Sequence, residues 1–264
     1  MAELGGNREV LQFLVEQKKI IHKNSLYALP TVNLATYDKR RVISQRKLKA
    51  IQQDIGLIGW IPTILGIALT GSVAAKNASK DDDIDLFIVT RKNTLWMTRM
   101  LVELLVFLNG KLRRPNSIHV NDLWCLNMWV DSDHLEMKKH DLYIAHEIVQ
   151  AQWIVDKTGI EQRFIEENKW VKKFMMGEVS KKFSIRQLTD NLQFSKLTLL
   201  ISYFLSLISR ILDWFCYRAQ LAYMRSRLTT EYVTRHTAFF HPHDVRADVL
   251  KKYERIMSEI RNRK

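Results

Sequence analysis

The stretch from Thr63 to Val89 constrains this chain more than any other. It opens on an uncharged run, Thr63-Ile64-Leu65-Gly66-Ile67-Ala68-Leu69-Thr70, closed by Gly71-Ser72, and it ends on Asp83-Ile84-Asp85-Leu86-Phe87-Ile88-Val89. The first run reads as a buried strand. In the second, residues two apart project from the same face, so Asp83 and Asp85 stand side by side while Ile84, Leu86 and Ile88 face a core. Two carboxylates held that close repel one another unless a cation lies between them. Oxygen donors in this arrangement suit Mg²⁺, as one ion or two, which keeps waters and shares its coordination with substrate phosphates. Gly71 lets the backbone approach a phosphate with no Cβ in the way. The Ser72 hydroxyl and the amides of the helical stretch after it can then hold a triphosphate. Lys76 and Asn77, between the two halves, either touch a phosphate or ribose or are simply solvated. The sequence thus offers Asp83 and Asp85 as catalytic and metal-binding residues, and Gly71, Ser72, Lys76 and Asn77 as nucleotide-binding ones.

Around this centre the pattern is largely helical. Val10, Leu11, Phe13 and Leu14 follow helical spacing, and Ser25 to Pro30 follows as a short hairpin. That order fits the end of a winged-helix module or an ordinary helix and loop. Asp38 to Gln53 reads as an amphipathic helix with Arg40, Arg41, Arg46, Lys47 and Lys49 on a basic face. Asn93 or Thr94 caps a helix that stops at Gly110, Ile118 to Val130 supplies one or two strands, and Asp141 caps a helix running through Val155. Beyond Glu161 the expected helices are Phe183 to Leu192, Ser195 to Ser226, Thr230 to Phe239 and Asp244 to Ile260. His236, His241 and His243 crowd the turn before Asp244, which reads as the cap of the last helix. The expected division is an N-terminal helix and hairpin over residues 1–35, an α/β domain with a small mixed sheet flanked by helices over 36–160, and a basic, mainly helical region over 161–264.

Composition narrows the partners. At 264 residues and 47% apolar the chain can bury a sizeable core and is not a disordered polyelectrolyte. Its net charge of +13, most of it within residues 161–264, favours nucleotides, nucleic acid or anionic lipid as partners. The two cysteines, Cys125 and Cys216, form neither a CxxC pair nor a Cys/His ligand spacing, which points to a reducing cytosol. The first ten residues lack an apolar signal core, so a cytoplasmic protein is expected. Leu197 to Ser209 is 13 uncharged residues long, short of the roughly 20 that a spanning helix wants. It fits a buried bundle helix, or an interfacial one in which Arg218, Arg225 and Arg227 meet headgroups, so peripheral membrane contact through 197–227 stays open.

The residues Ala68-Leu69-Thr70-Gly71-Ser72 followed by Asp83-Ile84-Asp85-Leu86 resemble the Gly-Ser and Asp-x-Asp signature of the polymerase-beta-like nucleotidyltransferases. The stretch Asn77 to Thr90, with Trp96, Arg99 and Leu126-Asn127, is similar to a bacterial group of proteins carrying this domain. The resemblance covers roughly residues 60 to 135. It implies the nucleotidyltransferase fold, Mg²⁺, an NTP substrate, and transfer of a nucleoside monophosphate to an acceptor hydroxyl with release of pyrophosphate. The acceptor is open: a small metabolite, a sugar, a lipid-linked molecule, a protein or an RNA end. The family also brings a third carboxylate from a later strand, here Leu123 to Val130, which has none inside it. Asn127 takes the corresponding position, and Asp122 at the entrance or Asp131 and Asp133 at the exit are the other choices. That departure leaves two alternatives beside a transferase: a nucleotide-binding or regulatory module without turnover, and a nucleic-acid-binding protein that uses its basic helices.

Overall fold

The computed structural model describes residues 2–23, 26–114, 117, 119–175, 196–225, 231–240 and 245–261. The chain divides into two compact units, Met1–Val42 and Ile43–Lys264. The first contains α1 (Ala2–Glu16) and an antiparallel pair of short strands, β1 (Ile21–Lys23) and β2 (Leu26–Ala28). His22 and Tyr27 face each other across that pair with rings stacked at 4.4 Å. Helix α2 (Leu34–Asp54) begins in this unit, where the Asn33 side chain accepts the Ala35 amide at 3.0 Å, and continues into the second.

The second unit is a mixed α/β structure. After α3 (Gly56–Gly59), β3 (Ile64–Leu69) leads into the one-turn helix α4 (Gly71–Ala74) and then β4 (Ile84–Thr90). Helix α5 (Leu95–Leu108) connects to β5 (Trp124–Asp131), followed by α6 (Leu142–Gln150), β6 (Gln152–Asp156) and α7 (Ile160–Glu167). The long α8 (Lys196–Met224), a hairpin of β7 (Tyr232–Val233) and β8 (Thr237–Phe239), and α9 (Val245–Arg261) complete it. The six strands stand in the order β6-β3-β4-β5-β8-β7, with β4 and β5 parallel and every other pair antiparallel.

Strand alternation splits the core into two layers. Ile84, Leu86 and Ile88 point to the side covered by Ile51 of α2, by Trp96, Val102 and Val106 of α5, and by Cys216 of α8. Phe87 and Val89 point the other way, against Ala145 and Ile148 of α6 and Phe164 of α7. Asp83 and Asp85 share the parity of Phe87, so the carboxylates open on the α6 side of the sheet.

Two segments read as helical are strands. The helix begun at Asp141 does start there, with the Asp141 carboxylate accepting the Ile144 amide at 3.0 Å, but it ends at Gln150. Ala151 turns extended and Gln152–Asp156 joins the open edge of β3, burying Trp153 and Val155. Likewise, within the stretch read as a helix over 230–239, Tyr232–Val233 and Thr237–Phe239 form a hairpin, because β8 supplies the edge of β5 with backbone partners and buries Ala238. Helix α8 docks on α5 through the buried Asp213, whose Oδ1 accepts the amides of Trp96 at 2.7 Å and Met97 at 3.0 Å. It does the capping that Thr94 does not, since the Thr94 hydroxyl turns to the Arg91 carbonyl. Among the described residues no helix is long and apolar enough to cross a membrane. Arg227, the helix read over 183–192, and His241, His243 and Asp244 lie outside the described residues.

Candidate functional site

Strand β3 delivers Gly71 against the start of β4. The Thr70 amide donates to the Asp85 carbonyl at 3.0 Å, and Gly71 adopts φ +62°, the left-handed region where a side chain is strained. A Cβ on Gly71 would also collide with the Asp85 carboxylate. Two independent constraints therefore require glycine here. The Ser72 hydroxyl bonds the Asp82 carboxylate, which also takes the Ser79 amide at 3.0 Å. Burial alone would raise Asp82, yet these bonds and the Lys47 charge hold it below the ordinary carboxylate range. Lys76, itself at φ +58°, and Asn77 are exposed on the loop that leaves α4, and the Asn77 amide bonds the Ser72 carbonyl at 2.9 Å.

Asp83, Asp85 and Cys125 bring ligand atoms within 4.8 Å of one another, an arrangement able to hold a metal ion. Cys125 lies across the parallel ladder from Asp85, and Asn127, two residues on, donates its side-chain amide to Asp85 Oδ1 at 2.9 Å. Arg113, from the loop before β5, pairs with Asp83 and reaches Cys125 Sγ at 3.5 Å. Burial first, and then the Asp83 charge, push the Asp85 carboxyl up to about 7; Glu147 adds to the rise, while the Cys125 thiol and Arg113 oppose it. Burial and the two carboxylates raise Cys125 as well, which keeps it a thiol. Asp85 is thus short of positive partners, and any cation that arrives improves its balance.

Of the other sequence candidates, Asp122 is turned away. Its carboxylate meets Lys47 Nζ at 2.7 Å and Arg46 at 3.4 Å. Lys47, read as part of a basic face on α2, is fully buried, and its ammonium also donates to the carbonyls of Asp82 at 2.7 Å and Lys80 at 3.1 Å. It ties α2 to the loops that lead into β4 and β5, because three acceptors replace the water it loses. Asp131 and Asp133 sit at the far end of β5: Asp133 pairs with Lys92, and Asp131 with His134 and His236.

Sequence reasoning missed three participants. Arg113 lies 30 residues from Asp83 and carried no local signal. Cys125 shares a strand face with Asn127, and only the parallel pairing of β5 with β4 brings its sulfur among the ligand atoms. Glu147 projects from α6, and its carboxylate accepts the Gly71 backbone N–H; burial raises it above the ordinary carboxylate range, with His146 and that N–H opposing. Comparison with known proteins adds no template: no family model matches the chain, and neither a curated protein nor a solved structure does.

Proposed function

We propose that this end of the sheet is a Mg²⁺-dependent nucleotidyltransferase site of the polymerase-beta-like type. It binds an NTP and moves the nucleoside monophosphate to an acceptor hydroxyl, with release of pyrophosphate. The observation that carries the reading is the contact of Gly71 with Asp85: a glycine with no room for a Cβ lies directly against a carboxylate deprived of positive charge. The donor set fits Mg²⁺. Asp83 and Asp85 offer oxygens on one strand face, and Asn127 Oδ1 is a buried oxygen without a hydrogen-bond partner. Mg²⁺ held there would neutralise phosphate charge and lower the pKa of an attacking hydroxyl.

The chain's own residues do the rest. Gly71 lets the backbone pass directly against Asp85, and Ser72 and the backbone of α4 follow beside the carboxylates as the phosphate-facing groups. Arg113 is half-exposed beside Asp83 and can pass from that carboxylate to a phosphate oxygen. Glu147, raised by burial and next to Gly71, supplies the acidic group that the strand at Asn127 lacks. A second reading has a specific observation behind it. Asn127 is neutral and already donates to Asp85, so the domain could bind nucleotide without turnover. Incubation with α-labelled NTPs, Mg²⁺ and hydroxyl acceptors separates the two. Label transfer that disappears in Glu147→Gln supports the transferase, whereas nucleotide binding with no transfer to any acceptor supports the silent module.

A further inference from the structure

At the opposite end of β5 a second group of ligands converges. Asp131 closes the strand with its side chain only 1% exposed, while His134 follows in the next turn and His236 sits in the β7–β8 hairpin. The Nδ1 atoms of His134 and His236 approach the two oxygens of the Asp131 carboxylate at 2.7 and 2.8 Å. Their rings lie nearly parallel, with centroids 4.1 Å apart and planes 11° from one another. All three residues offer a ligand atom within 4.8 Å of the others. An imidazole in its neutral form keeps one nitrogen lone pair, so each ring can serve as a ligand beside the carboxylate. The neighbouring charge is spent elsewhere: Lys92 pairs with Asp133, which Arg163 also approaches, and Arg235 acts on Asp213.

We infer that Asp131, His134 and His236 form a binding site for a borderline divalent transition-metal ion, with Zn²⁺ the expected occupant. Two imidazole nitrogens and one carboxylate oxygen are the donor set that such ions prefer and that Mg²⁺ does not. Ligand bonds of about 2.0–2.2 Å in tetrahedral geometry put ligand atoms a little over 3 Å apart. The lone pairs of two nearly parallel rings converge on one ion only if the rings turn, and at 37% and 31% exposure the two side chains have solvent to turn into. As the ion binds, each ring gives it the Nδ1 lone pair and keeps one proton on Nε2, any second proton leaves to solvent, and water from the exposed side takes the fourth position. Because His236 lies 105 residues beyond Asp131, the ion would pin the β7–β8 hairpin to the edge of β5. The site is independent of the carboxylates at Asp83 and Asp85.

The test uses the full chain stripped with chelator, held in excess Mg²⁺ and titrated with CoCl₂ and ZnCl₂. The expected result is one equivalent bound, with visible Co²⁺ absorption of a four-coordinate nitrogen and oxygen site. His134→Gln and His236→Gln should each weaken binding by about 10-fold or more, while Asp83→Asn/Asp85→Asn leaves it unchanged. X-ray absorption of the Zn²⁺-loaded wild type should count two imidazoles, a readout that does not depend on the variants folding. No Co²⁺ or Zn²⁺ binding, binding equal in wild type and both histidine variants, or a zinc shell without imidazole would overturn the assignment.

Discussion

The two ends of the β4–β5 pair each gather a carboxylate and provide for it in opposite ways. Asp131 receives two imidazoles and the backbone amides of Asp133 at 3.1 Å and Asn93 at 3.4 Å. Asp85 receives one side-chain amide and a thiol, and faces Asp83 and Glu147. Asp122, a few residues from Cys125, pairs with the buried Lys47, which also donates to two carbonyls. Asp85 and Asp131 thus differ in their supply of donors. The undersupplied carboxylate is also the one pressed against a glycine. In chemical terms, the Asp85 end gathers two carboxylates and a thiol, and the Asp131 end one carboxylate and two imidazoles.

The largest effect should come from removing the support that the Asp85 end borrows. Lys47→Met removes the buried donor shared by Asp122 and two carbonyls, with Arg46 still beside the half-exposed Asp122, and should cost about 2–3 kcal/mol in urea unfolding. A loss below about 1 kcal/mol would mean that the lysine is dispensable to the site's frame. Next comes Gly71→Ala, read against Gly110→Ala. Both glycines are left-handed, at φ +62° and +67°, but nothing lies within 4 Å of a Cβ at 110. Gly110→Ala should show the backbone strain alone, about 1–2 kcal/mol. Gly71→Ala should show more, together with loss of nucleotide binding, and equal costs would remove the close approach to Asp85.

The pH dependence is smaller and has a definite sign. Asp85 is raised when folded, so its protonated form favours the native state, and that contribution is lost as pH climbs from about 4 to about 7. The wild-type melting temperature should fall across this window more than that of Asp85→Asn, and Mg²⁺ should recover part of the difference at the alkaline end. Identical slopes for the two proteins would show that Asp85 is not starved of positive charge. The smallest change is expected from Arg113→Gln. It removes the cation already paired with Asp83 and should tighten Mg²⁺ binding a few-fold, as isothermal titration would detect.

Much of the sheet's centre was legible in the sequence because its signals are local. The uncharged run before Gly71 and the alternation around Asp83 and Asp85 set face and burial by period alone, and α5 with its stop near Gly110 follows from helical spacing. What was not legible depends on contacts far along the chain. Gln152–Asp156 and the β7–β8 segment have patterns compatible with helix, and they become strands because β3 and β5 present open edges to them. Lys47 looked like one more member of a basic stripe, since the three acceptors that bury it come from residues 80, 82 and 122. Glu147 carries no signal within its own helix, since its partner is the Gly71 amide, brought against it by the packing of α6. Within the candidate site, then, the strand residues could be read directly, and the groups that tune them could not.

The central claim is that Gly71, Asp83 and Asp85 make one Mg²⁺-nucleotide site. Calorimetric titration of each of the four NTPs with Mg²⁺, into wild type and into Asp83→Asn/Asp85→Asn, tests it most directly. At least one NTP should bind the wild type in a Mg²⁺-dependent manner, with affinity reduced by about 100-fold or more in a folded double variant, as the loss of both charged ligands requires. Equal binding by the two proteins, or no binding of any NTP to the wild type, would contradict it.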